Sequence, residues 1–303
     1  MTRSPFTHED PAVLPLDRVS VFFDGQYSDP RLHHPEGVAV AADGSVWCGN
    51  AEGDIVRIDP RTGDIERVAT TGGFTLGLAF DGSANLYVCD QKSAAVWRLR
   101  LADRSLARFT APGMCIPNYP VVDPHRNCLY VSDSFGAGAA GPGVWRYDFF
   151  SGKGELWWRE PMQFANGMAL SEDGRTLYVV ETFGRRVSRI EIGPDGLPSG
   201  IDVAAENLPG LPDGIALDER GDLFVSCYEP SRILRIDRSG KLDIYVEDPE
   251  AHLLCHPTNI AFDGKTLYAA NLGRWHIARI ETDTSAPPLA AMVGVRMEEG
   301  ASS

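Results

Sequence analysis

The sequence has six cysteines but no CxxC pair and no zinc-type spacing. Nor does any long stretch repeat apolar residues at helical spacing, which excludes a helical bundle. No apolar run approaches the ~20 residues needed to span a bilayer, and the opening MTRSPFTHEDPAVLP has no apolar signal core. A soluble, cytoplasmic protein with no membrane partner is therefore expected. Positive charge is also scarce: 28 Lys and Arg against 42 Asp and Glu leave a formal net charge of −14. That balance argues against a phosphate-backbone partner and favours attraction of cations.

What the sequence does have is turns and short strands. Its 31 glycines and 21 prolines punctuate β-rich runs throughout, and 43% apolar content is enough to fill a sizeable core. One phrase recurs six times. Its clearest copies are HPEGVAVAADGSVWCGN (34–50), FANGMALSEDGRTLYVVET (164–182) and LPDGIALDERGDLFVSC (211–227). Each is a residue at the head of a short apolar strand, a charged Gly-containing turn, and a second strand. Aligned on that head residue, the copies sit at Glu36, Leu76, Asn118, Asn166, Asp213 and Thr258, at intervals of 40, 42, 48, 47 and 45 residues. Cys48, Cys89 and Cys227 occupy second-strand positions that other copies fill with Val or Ala, so they read as buried thiols.

Two further strands follow each copy, and four antiparallel strands at this period form a propeller blade. Residues 1–303 are thus expected to form a single all-β domain, a six-bladed β-propeller. The sequence suggests a loose N-terminal arm over 1–17 and a tail from about 286. Val19–Phe23 belongs to no copy and is expected to complete the last blade, with Pro287–Met297 as the competing segment.

In such a blade the first strand is innermost, so the six head residues should sit just before the inner strands and ring one mouth of the channel. The ends of the second strands, at Asn50, Asp90, Asp133, Glu181, Tyr228 and Asn271, should approach the same mouth, as should the Gly-rich segment Phe135–Gly143. The ADG, EDG and ERG turns belong to the opposite face and read as hairpin turns. Four head residues, Glu36, Asn118, Asn166 and Asp213, offer oxygen only. Converging on an axis, two carboxylates and two amides suit one hard divalent cation, Ca²⁺ ahead of Mn²⁺ or Zn²⁺. Leu76 and Thr258 would leave one side open to substrate and water. A single Asn or Asp before Gly is an ordinary turn residue; four at matched positions are not.

The PEG, PNY, ANG and PDG elements, and NGMALSEDGRTLYVVET above all, resemble the SMP-30/gluconolactonase/regucalcin family of six-bladed propellers. More distantly, the chain is similar to phosphotriesterase-type, paraoxonase-like and strictosidine-synthase-like propellers. The resemblance covers residues 20–285. It implies one catalytic divalent ion held by Glu36, Asn118, Asn166 and Asp213, and hydrolysis of a lactone or ester. Sugar lactonases of the family carry RxNDG where this chain reads IPNYP, with Ile116 in place of the Arg. The expected substrate is therefore less polar than a simple sugar lactone.

Asp213 is the expected catalytic carboxylate, as general base or direct nucleophile, while Glu36 is expected to act only as a ligand. Ile116, Tyr119, Glu181, Tyr228, His256 and Trp275 are the candidate substrate-binding residues, with Arg274 as a further possibility. The partner implied is a small-molecule lactone or ester, with the protein a monomer or homodimer. A non-catalytic calcium-binding propeller and a strictosidine-synthase-like enzyme are the alternatives.

Overall fold

The computed structural model describes residues 6, 11–82, 84–110 and 112–287. A 3-10 turn at Leu16–Arg18 leads into β1 (Val19–Asp24). Blade one is β2 (Pro35–Val40), β3 (Val46–Asn50), β4 (Asp54–Ile58) and β5 (Ile65–Thr70). Blade two is β6 (Thr75–Phe80), β7 (Asn85–Asp90), β8 (Ala95–Arg100) and β9 (Leu106–Arg108). Blade three is β10 (Pro117–Asp123), β11 (Cys128–Asp133), β12 (Gly141–Asp148) and β13 (Gly154–Met162). Blade four is β14 (Ala165–Leu170), β15 (Thr176–Glu181), β16 (Arg186–Ile192) and β17 (Pro198–Ala205). Blade five is β18 (Leu211–Leu217), β19 (Leu223–Glu229), β20 (Arg232–Ile236) and β21 (Leu242–Glu247). Blade six is β22 (Pro257–Asp263), β23 (Thr266–Asn271) and β24 (His276–Glu281), with β1 as its outermost strand.

All six sheets are antiparallel and four-stranded, so the fold is a six-bladed β-propeller. The inner strands β2, β6, β10, β14, β18 and β22 pack one on the next and close a ring. Burial explains their composition. β2 is buried at five of its six positions because blades cover both of its faces, whereas the outer strand β5 has no buried residue. The core is divided accordingly. Leu78, Leu86 and Val88 of blade two meet Trp47 and Ile55 of blade one, while Phe224 and Tyr245 of blade five meet Ile260 and Leu267 of blade six. Each interface between blades holds its own apolar cluster. Cys48, Cys89 and Cys227 are buried free thiols within these packed strands.

β1 pairs antiparallel with β24, from Val19 opposite Ile280 to Asp24 opposite His276. Of the competing segment, residues 288–297 lie outside the described residues. The described part of the N-terminal arm is docked. Val13 and Leu14 donate backbone N–H groups to Ile244 and Tyr245 of β21, and Leu14 is buried in the cluster between blades five and six. The expectation of a loose arm fails here because Leu14 supplies an apolar anchor and β21 offers it a free edge.

His276, buried at this seam, bonds the Leu253 carbonyl through Nε2 at 2.9 Å. Burial holds its pKa below the ordinary 6.5, with Arg274 acting the same way and Asp24 and Asp248 opposing. Between the lowered pKa and 6.5 the unfolded chain therefore binds more protons than the fold does. Stability from this group is full above about 6.5 and is lost as pH falls through that value toward the folded pKa. Denaturant midpoints measured from pH 8 to 5 should fall more steeply for the parent than for His276→Gln. Parallel curves would discard the assignment.

Candidate metal centre at the channel mouth

The six head residues lie inside the inner strands, as second or third residue of each, and not just before them. At every one the pairing with the next strand breaks register: between Pro35 and Gly37, Thr75 and Leu78, Pro117 and Pro120, Ala165 and Met168, Pro212 and Ile215, and Pro257 and Ile260. An irregularity of this kind re-aims a side chain out of the sheet's alternation. This is why a polar residue can stand in an otherwise buried apolar strand.

Glu36, Asn118, Asn166 and Asp213 are all buried. The Asn118 amide Nδ2 donates to Ser134 Oγ at 3.0 Å, and Ser134 Oγ in turn donates to the Ala165 carbonyl at 2.7 Å. The hydroxyl proton is thereby committed, so the serine oxygen must accept and the amide nitrogen must be the atom facing it. Blade four repeats the device: Asn166 Nδ2 donates to Thr182 Oγ1 at 3.1 Å, and Thr182 Oγ1 donates to the Pro212 carbonyl at 2.8 Å. Both Asn carbonyl oxygens are left without a partner among the described residues. Asp213 shows the same asymmetry, with Oδ2 accepting from Asn166 Nδ2 at 3.1 Å and Oδ1 unpartnered.

Buried, unpaired acceptors on three of the four residues require a donor or a cation, because leaving each unsatisfied costs ~1–3 kcal/mol. The electrostatics agree. Neither Glu36 nor Asp213 forms an ion pair among the described residues. Burial, and then the negative charge of Asp213, raise the Glu36 pKa well above the usual carboxylate range. Burial pushes Asp213 up to about 7, with the Asn166 amide opposing. A divalent cation supplies the missing charge, and an all-oxygen donor set suits a hard one. These residues fit a cation.

The remaining sequence candidates divide. Tyr119 follows Asn118, half-buried, with its phenol pKa raised by burial and by the nearby Glu36 charge. Tyr228 and His256 stack with ring centroids 4.4 Å apart. His256 Nδ1 meets the Tyr228 carbonyl at 2.8 Å and Glu229 Oε2 at 3.2 Å, two acceptors, so Nδ1 carries a proton. Trp275 packs against His34, centroids 5.1 Å apart, and Ile116 is half-buried beside Asn118. Arg274 is exposed, its guanidinium donating to the Ala251 carbonyl.

Glu181 does not line the mouth. It is fully buried and accepts from Arg186, from Ser188 Oγ and from the Gln163 backbone N–H, so its charge is spent on pinning the segment before β14. Asp133 does the same for Cys115 and Ile116 before β10, and Asn271 for Cys255 before β22. The Thr258 hydroxyl is committed elsewhere than to an ion, donating to the Glu36 carbonyl at 2.8 Å. On the opposite face, Asp43, Asp173 and Asp218 accept N–H groups two residues on, as hairpin turns require.

Three aromatic residues were not singled out as candidates in the sequence: Phe164, Phe183 and Phe135, the last named only as the start of the Gly-rich segment at the mouth. Phe135 and Phe183 are 39% and 46% exposed, and Phe164 contacts Phe183 edge-on at 5.1 Å. Phe135 and Phe164 have φ of 60° and 64°, as His34 and His256 have 45° and 49°. Bulky side chains rarely adopt this left-handed region. The signal was present in Asp133-Ser-Phe-Gly and Glu181-Thr-Phe-Gly, where acid, hydroxyl anchor and exposed ring recur in register.

The fold and this centre define a class: a six-bladed propeller with buried, unpartnered oxygens at the head positions of three of its inner strands. Residues 137–271 match the SMP-30/Gluconolactonase/LRE-like region, and residues 26–58 match the strictosidine synthase-like N-terminal family. Regucalcin of Danio rerio is 31% identical over 110 residues, 35% of this chain and 36% of the relative. Strictosidine synthase-like protein 2 of Arabidopsis thaliana is 30% identical over 183 residues, 53% of this chain and 47% of the relative. The aligned part thus spans less than half of these curated relatives. A gluconolactonase structure from Xanthomonas campestris superposes with a TM-score of 0.71 at 20% identity, covering 87% of this chain and 88% of the other. The chain is thus similar to the SMP-30/gluconolactonase/regucalcin family over residues 137–271 and shares the propeller fold of the gluconolactonase structure.

Proposed function

We propose that the protein is a divalent-metal-dependent lactonase or esterase, its ion held by Glu36, Asn118, Asn166 and Asp213. What carries the reading is the set of three buried, unpartnered oxygens, Asn118 Oδ1, Asn166 Oδ1 and Asp213 Oδ1. Both amides are turned to present oxygen by hydroxyls that cannot accept them the other way round. When bound, the cation supplies Lewis-acid stabilisation of the oxyanion that develops on a lactone or ester carbonyl.

The chain's own groups supply the rest. Asp213 is the carboxylate placed to take a proton from water or to attack the carbonyl directly. Burial keeps bulk water from competing at that oxygen. Phe135, Phe164, Phe183 and Ile116 flank the two Asn residues in the chain and offer apolar side chains, while Tyr228, stacked on His256, lies close enough to Asp213 to feel its charge. A substrate with an apolar substituent fits the first set, which supports a lactone or ester less polar than a sugar lactone. The exposed aromatic rings and strained Phe backbones are the observations behind that preference.

The strictosidine-synthase-like reading draws on the Arabidopsis relative. A condensing enzyme has no need of four convergent oxygen donors, so the hydrolase is favoured. The test is a panel of γ- and δ-lactones, aryl esters and phosphotriesters assayed with Ca²⁺, Mn²⁺, Zn²⁺ and a chelator. Hydrolysis should require the cation and favour apolar substituents. If no member is cleaved while Ca²⁺ still binds by calorimetry, the protein is a calcium-binding propeller without turnover.

The amide anchors give a second expected outcome. Ser134→Ala or Thr182→Ala frees one Asn to rotate and should weaken Ca²⁺ binding about 10-fold, the lower end for an outer-shell partner. Calorimetry on the folded variants measures it, and unchanged affinity would remove the anchoring role.

A further inference from the structure

One position past each head residue, the ring has a rule and two exceptions. Blades one, two, four and five place Gly37, Gly77, Gly167 and Gly214 there. A Cβ on these glycines would lie 2.1 Å from the Leu76 carbonyl oxygen, 2.8 Å from that of Asn118, 2.6 Å from that of Asp213 and 2.5 Å from that of Thr258. The inner strands approach so closely that a side chain at this position collides with the next blade. Only Tyr119 of blade three and Asn259 of blade six break the rule.

Asn259 is fully buried, and its Nδ2 lies 3.4 Å from both Glu36 Oε1 and Glu36 Oε2. Its Oδ1 has no partner among the described residues. The amide cannot be turned over, since its oxygen would then face both carboxylate oxygens at the same distance. Thr258, the preceding residue, holds the Glu36 carbonyl. Blade six therefore grips Glu36 twice, once by its backbone and once by its carboxylate. A neutral residue equidistant from both oxygens fixes the plane of a carboxylate without neutralising it, leaving its charge for a cation.

We infer that Asn259 is a positioning residue for the metal centre: it orients Glu36 for the ion through its Nδ2 and holds a channel water on its free Oδ1. A buried acceptor beside a carboxylate needs a donor, and water is the species that supplies one there. This rests on Glu36 being a ligand, as proposed above.

The test is a double-mutant cycle on the full chain, combining Asn259→Ala and the volume-keeping Asn259→Leu with Glu36→Gln. Two quantities are read: the Ca²⁺ dissociation constant by calorimetry, and the melting temperature in chelator. With Glu36 intact, either Asn259 variant should weaken Ca²⁺ binding roughly 10–100-fold and lower the chelator melting temperature. When Glu36→Gln is already present, both effects should shrink to less than half. Asn259 variants that bind Ca²⁺ within about twofold of the parent, below the outer-shell range, would overturn the inference. So would equal losses in both backgrounds, which mark a packing role unconnected with Glu36. A parent that binds no Ca²⁺ would instead overturn the metal-centre reading, and the chelator melting cycle would still decide whether Asn259 acts through Glu36.

Discussion

Asp213→Asn should abolish hydrolysis, lowering kcat by about 10²–10⁴-fold, the range expected when a positioned base is lost. The substitution keeps the shape of the side chain and its place in β18, and the bond with Asn166 is kept when the new amide turns its oxygen toward Asn166 Nδ2. It removes the negative charge that raises Glu36. Among the described residues it also removes the only acidic oxygen in the ring that is both buried and unpartnered. Ca²⁺ binding should weaken yet persist through Glu36, Asn118 and Asn166. Full activity in this variant would end the assignment of Asp213. The same residue can be questioned further by single-turnover hydrolysis in ¹⁸O water. Label entering the Asp213 carboxylate marks direct attack on the carbonyl.

Deleting residues 1–25 should abolish cooperative folding. The deletion removes β1, the outermost strand of blade six, and with it every backbone pair to β24 from Val19–Ile280 to Asp24–His276. Leu14 and Val19 leave the cluster between blades five and six. Phe22 and Phe23 leave the cluster between blades six and one, where Phe22 meets Tyr268 edge-on at 4.9 Å. At about 1.5–3 kcal/mol for each fully buried apolar side chain, less for those half-buried, the loss reaches several kcal/mol. That is comparable with the net stability of a whole domain, about 5–15 kcal/mol. The β24 edge is also left open to aggregation. A sharp thermal transition in the truncated chain, at a temperature close to the parent's, would show that the strand is dispensable.

Much of the candidate site was legible in the chain because a repeat exposes its own exceptions. With six copies in register, Glu36, Asn118, Asn166 and Asp213 stood out as oxygen donors where position alone would predict turn residues. Glu181 was misread for the same reason. It shares a register position with Tyr228, and alignment cannot tell an acid that faces a ligand from one that meets Arg186 and Ser188. The charged Asp-Glu-Arg-Gly turn at 218–221 was separated from the site by topology, and its Asp218 is bound to the turn's own N–H groups.

The propeller architecture could be read from the chain, as could the four candidate donors, because strand period and residue type are local properties that a 40–48-residue repeat displays six times. Tertiary structure decided which atoms of those donors are free. That depended on Ser134 and Thr182 turning two amides, on the Ala165 and Pro212 carbonyls of the next blade committing those hydroxyls, and on Asn259 reaching across the seam between the last blade and the first. Each of these contacts joins residues from different blades or strands, so no local pattern in the chain encodes it.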